Sequence, residues 1–147
     1  MAISNRDRVG KGFEVLAEGL TDLVDEVMQK ALNAQDWNIV WAQKDAANSG
    51  GALKTYEKHD PQVQLRAITV YGYDFRDSLS RAEQAFATEL RQARNQWAHN
   101  EPFSSDDTAR ILDTIERLLR AANAVDSADD TRKLRIDLQR TVFEEQN

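Results

Sequence analysis

The chain contains no cysteine and only two histidines, His59 and His99, among its 147 residues. Disulfides and thiolate metal sites are thereby excluded, and two histidines so far apart in sequence give no basis for a zinc site; neither metal nor cofactor is expected. No run of about 18 apolar residues occurs, and the N-terminus opens with charges instead of an apolar signal segment, so neither membrane insertion nor secretion is expected. A cytoplasmic location is the expectation, and the lack of cysteine fits a reducing compartment. A basic excess is missing as well, the net charge being −6. A protein that coats nucleic acid neutralises many phosphates and needs such an excess. The deficit falls unevenly. Residues 61–99 carry Arg66, Arg76, Arg81, Arg91 and Arg94 against Asp74, Asp77, Glu83 and Glu89, a balance of +1, while the remainder sums to −7. A locally basic groove on an acidic body fits an enzyme that holds a few phosphates briefly; the plain alternative is a solvated surface.

What is present is helical pattern. With 41% hydrophobic and 30% charged residues, the length is that of one domain with a core of useful size. The period is helical nearly throughout, without strand alternation, and predicts an all-α bundle of four to five main helices. The first runs from about Asn5 to Asn33 behind a Ser4 cap, with Val9, Phe13, Leu16, Leu20, Leu23, Val24 and Val27 as its apolar stripe. Gly10, Gly12 and Gly19 each cost up to about 1 kcal/mol relative to alanine inside a helix, which predicts close approach of other helices there. Gly10-Lys11-Gly12 is no phosphate loop, lacking the upstream glycine, the hydroxyl after lysine and the preceding strand. Trp37 and Trp41 stand four apart on a short helical piece, placed either to flap over the core or, if exposed, to stack bases; Asn48-Ser49-Gly50-Gly51 is the best loop signal.

Asp60 as cap and Pro61 at the first position open the next helix, whose buried side is expected through Leu65, Ile68, Gly72, Phe75 and Leu79. His59, just before it, has neither an arginine at useful spacing nor an apolar stripe around it and is assigned no role. Ser80 and Glu83 form a capping box for a helix that Asn100 and Pro102 close. Ser104 or Ser105 caps the following one, with Ile111, Leu112, Ile115, Leu118, Leu119 and Ala122 inside. After an Asp126–Asp130 turn, a final helix buries Leu134, Leu138, Val142 and Phe143.

The richest segment is Arg94-Asn95-Gln96-Trp97-Ala98-His99. At about 100° per residue, Leu90, Ala93 and Trp97 continue an inward stripe begun by Ala82 and Phe86. Asn95 and His99 share another face, with His99 roughly 200° from Trp97, and Arg94 flanks the stripe. A guanidinium offers a phosphate a fixed fork of donors, and an imidazole gives and takes protons near neutrality. Near a helix C-terminus, His99 suits a general acid more than a base.

That order of residues near the end of a helix resembles the HEPN superfamily of ribonucleases and nucleotide-binding modules. More narrowly, Asn5-Arg6-Asp7-Arg8-Val9-Gly10, Asp60-Pro61-Gln62, Arg94 to His99 and Pro102-Phe103-Ser104-Ser105-Asp106-Asp107 are similar to the Swt-one-type HEPN domain over most of the chain. The resemblance implies a metal-independent endoribonuclease acting as a two-fold dimer, with Arg94 and His99 catalytic and Asn95 the polar residue after the arginine. It also implies RNA as substrate, and a setting in phage defence or a toxin–antitoxin locus with an antitoxin or ATPase partner. The rival reading is a non-catalytic HEPN module that binds RNA or nucleotide or assembles with a partner chain. Residues 1–147 are expected to form one HEPN-like domain, and the charged Glu144-Glu145-Gln146-Asn147 tail suits either a piece of a longer protein or a free-standing one.

Overall fold

The boundaries of the helices follow the capping chemistry of the sequence. A computed structural model describes residues 3–146, leaving Asn147 of the charged tail outside the described residues, and contains six helices: α1 (Asn5–Leu32), α2 (Trp37–Ser49), α3 (Pro61–Val70), α4 (Arg81–Ala98), α5 (Ser105–Ala121) and α6 (Val125–Gln146). Ser4 accepts from the Asp7 amide, Asp60 from Gln62, and Ser104, not Ser105, from Asp107. The Ser80–Glu83 capping box closes in both directions. At the C-terminal ends, Asn33, Asn100 and Asn123 adopt left-handed φ of 49°, 58° and 62°. Each is followed by an amide that returns to a carbonyl five residues back, from Ala34 to Gln29, Glu101 to Gln96 and Ala124 to Leu119. These are Schellman endings made by asparagine in place of the commoner glycine.

Helix α1 packs against all five others and is the axis of the bundle. Its stripe of Val9, Phe13, Leu16, Leu20, Val24 and Met28 is buried, with Leu23 and Val27 at the margin of the core. The glycines mark close approach as expected. A Cβ on Gly12 would come 2.9 Å from Leu112, and one on Gly19 would come 2.9 Å from Ser127. The amphipathic helices α4 and α5 then close on α1, and α6 lies over α5 and α1. Arg8, only 3% exposed, ties α6 to the start of α1 by donating to Ile3 O, Asp137 Oδ2 and Thr141 Oγ1.

Four local expectations are corrected. Helix α3 stops at Val70, and residues 71–79 continue as turns in which Asp74, Phe75 and Arg76 bond back three residues, although Phe75 and Leu79 are still buried. The first turn of α4 turns Gln84 inward to donate to Gly72 O and Leu79 O, so Ala82 is exposed and Ala87 takes its place in the core. Residues 126–130 are not a turn; Asn123 makes the turn, and Asp126 lies in the first turn of α6, where the helix dipole favours a carboxylate. Phe143 is 67% exposed, and α6 buries Ala128, Thr131 and Leu138 instead.

Candidate functional site

The Arg94–His99 segment is the C-terminal end of α4, and its surroundings are assembled from both ends of the chain. Trp97 lies against Gly10, where a Cβ would stand 3.2 Å from the indole, and donates from Nε1 to Arg6 O at 3.2 Å. The Arg6 and Arg94 guanidinium carbons lie 4.7 and 5.0 Å from the Trp97 ring centroid. Asn5 Nδ2 donates to Phe103 O and Ser105 Oγ, and Gln96 Nε2 to Pro102 O. The phrases around Asn5, Trp97 and Phe103 thus form one clamp, which holds the α4–α5 turn against the start of α1.

Arg94 opens into a pocket of about 520 Å³ lined also by Gly10, Phe13, Glu14, Glu18, Pro61 and Trp97. His59 lines the same pocket. Sequence reasoning assigned His59 no role because no arginine stands near it along the chain; the packing of α3 on α1 brings it to the pocket of Arg94 instead. The Asp60-Pro61 cap was the available signal, since it fixes His59 immediately before the first turn of α3.

The hydrogen bonds around His59 favour one tautomer. Thr21 Oγ1 donates its single proton to Ala17 O at 2.7 Å. The same oxygen lies 3.4 Å from Gln64 Nε2, a donor that also serves Ala17 O and Lys58 O at 3.0 Å. With that proton on Ala17 O, the 3.2 Å contact with His59 Nδ1 is one in which Nδ1–H donates. In the neutral ring Nε2 then carries the lone pair.

Asn95 and His99 are exposed, and neither lines that pocket. Among the described residues, the side chains of Arg94, Asn95 and His99 make no hydrogen bond or ion pair. His99 is the C-cap of α4, with its backbone N–H bonded to Asn95 O at 3.0 Å. Among the described residues no group of three or more His, Asp or Glu side chains is placed to hold a metal ion, and no helix is long and apolar enough to cross a membrane.

A second concavity, of about 700 Å³, lies on the other side of the α3 N-terminus. Trp41 and Arg66 form its wall, the guanidinium 4.6 Å from the indole centroid. Arg66 is bound to Asp45 at 2.9 Å and to Tyr56 Oη at 3.1 Å, and Tyr56 in turn donates to Asp45 at 2.5 Å. Burial raises the Tyr56 phenol above its ordinary pKa and works upward on Asp45 too, but the bonds from Tyr56 and Arg66 carry the Asp45 carboxyl below its ordinary value. Trp37 and Trp41 are buried and cover the core, so they do not offer free stacking faces.

The Swt1-like HEPN family model matches residues 11–123, from α1 through α5. The chain is a Swt1-like HEPN domain. Its family is one of ribonuclease-like and nucleotide-binding helical modules, and the match contains the whole Arg94–His99 segment. No curated protein and no solved structure gives a match to this HEPN chain.

Proposed function

We propose that this HEPN domain is a metal-independent endoribonuclease in which Arg94, Asn95 and His99 act from a two-fold dimer. The observation that carries the reading is the open state of those three side chains: they occupy one end of α4, and none is engaged in a hydrogen bond or ion pair among the described residues. A buried or saturated arginine has no donors left for a phosphate, whereas Arg94 keeps all five. RNA brings its own nucleophile, the 2′-hydroxyl. Arg94 stabilises the charge that builds on the pentacoordinate phosphorus, His99 transfers a proton, and Asn95 orients its neighbours. The products are a 2′,3′-cyclic phosphate and a 5′-hydroxyl, and DNA is a poor substrate. Facing segments from two chains would concentrate these cations on one phosphate, which offsets the overall acidity. The resemblance further supports a cytoplasmic role in phage defence or a toxin–antitoxin locus, with an antitoxin or ATPase partner.

Glu14 and Glu18 on the wall of the Arg94 pocket favour a second reading, a module that binds a nucleotide without cleaving it, because carboxylates accept from base donors and repel phosphate. Cleavage of a labelled mixed-sequence RNA in excess EDTA separates the two. Wild type should yield cyclic-phosphate ends as a dimer in solution, and Arg94→Lys should fail because an ammonium lacks the guanidinium fork. Binding without cleavage by the wild-type dimer would establish the second reading.

A further inference from the structure

We propose that His59 is the general base of this reaction, accepting the 2′-hydroxyl proton at Nε2; the proposal rests on the ribonuclease reading above. Two independent features of the fold support it. His59 lines the pocket into which Arg94 opens, so an imidazole and a guanidinium share one concavity. Thr21, its own proton spent on Ala17 O, takes the Nδ1–H of His59 and leaves Nε2 as the ring nitrogen that carries the lone pair. A histidine in that tautomer, held by a hydroxyl of α1, presents Nε2 as a proton acceptor. The charged groups that line the pocket around it are Glu14 and Glu18 from α1, which repel a phosphate, and Arg94 from α4, the guanidinium that holds it; its chain neighbours are Lys58 and Asp60.

The division of labour follows. The 2′-hydroxyl proton moves to His59 Nε2 while the O–H electron pair forms the new O2′–P bond. The P–O5′ bond breaks with its pair on O5′, which takes a proton from His99. Acid and base are then different residues: His59 works from the pocket of Arg94, and His99, which stands outside that pocket, reaches the same phosphate across the two-fold dimer. Water exchange restores both rings, and no further reactant enters.

The test is single-turnover cleavage of the labelled RNA in EDTA, measured against pH for wild type, His59→Asn and His99→Ala. Asparagine retains an amide that can donate to Thr21 but lacks Nε2, and the exposed position of His59 lets the variant fold. His59→Asn should lower cleavage roughly 10²- to 10⁴-fold and remove the rising acid-side limb of the pH profile. Its affinity for a 2′-deoxy analogue of the same RNA should stay within about two-fold of wild type, a result that a merely structural role would not give. His99→Ala should remove the falling limb instead. Wild-type cleavage matched by His59→Asn, with the rising limb intact, overturns the proposal and leaves the ribonuclease reading standing. An inactive wild type overturns both.

Discussion

Arginine stacks on tryptophan on both sides of the α3 N-terminus, Arg66 on Trp41 and Arg6 and Arg94 on Trp97, and the two places differ in one respect that decides what each can do. At Arg66 and Trp41 the indole is buried, and the guanidinium is tied down by Asp45 and Tyr56. At Arg94 and Trp97 the indole is half-buried, and the guanidinium has no ion pair among the described residues. The same cation–π contact therefore serves two ends. Where the donors are answered from within the fold, the stack is a brace that holds α2 and residues 50–60 to α3. Where they are not, the ring supports the stem of a side chain whose head waits for an external anion.

The largest effect expected from perturbing this contrast is on the open side. His99→Ala should lower cleavage by roughly 10²- to 10⁴-fold, about 3 to 5 kcal/mol of transition-state stabilisation, while the thermal midpoint stays where it was. Calorimetry beside the cleavage assay checks both halves. Next is the reverse pattern on the closed side: Trp41→Ala should cost about 3 to 5 kcal/mol of stability, yet the fraction that remains folded should cleave at the wild-type rate. A stable Trp41→Ala protein that no longer cleaves would undo the comparison.

A finer perturbation is Asp45→Asn, which leaves Arg66 without its carboxylate and should lower stability by about 1 to 3 kcal/mol in urea unfolding. Asn95→Ala, on the open and exposed side, should stay within about 0.5 kcal/mol. The smallest effect is in pH. The Asp25 carboxyl is lowered by the Trp37 indole bond first, against burial, and then by Lys58; Asp45 is lowered by Tyr56 and Arg66 against burial. A depressed folded value means that the stabilisation is complete above the unfolded pKa of about 3.9 and is lost as pH falls through the folded one. Unfolding curves should therefore weaken below about pH 4, and Asp45→Asn should flatten that acid limb.

Much of this could be read from residue order because it is local. Ser4, Asp60, Ser80 and Ser104 cap the helices they precede, and the glycines of α1 mark the positions where α4 and α5 come close. Expectations failed where a distant group changed the outcome. Gln84 turned inward because the carbonyls of Gly72 and Leu79 needed a donor. The site shows the same division. Arg94, Asn95 and His99 stand within one helix end and are visible as a pattern, whereas His59 comes to line the pocket of Arg94 through the packing of α3 on α1, an arrangement held by Gln64 and Thr21 that no spacing along the chain reveals.

The seat of Trp97 on Gly10 has a genetic consequence. The indole rests where a side chain is missing, and even a methyl group at Gly10 would press on it at 3.2 Å. Branched residues there would displace the ring and with it the stem of Arg94, far more than they would disturb the caps that hold the helices. A mutational screen that demands soluble protein but selects for lost cleavage should therefore return Gly10→Val alongside substitutions at Arg94 and His99. It would be an inactivating allele at a position that bears no functional group.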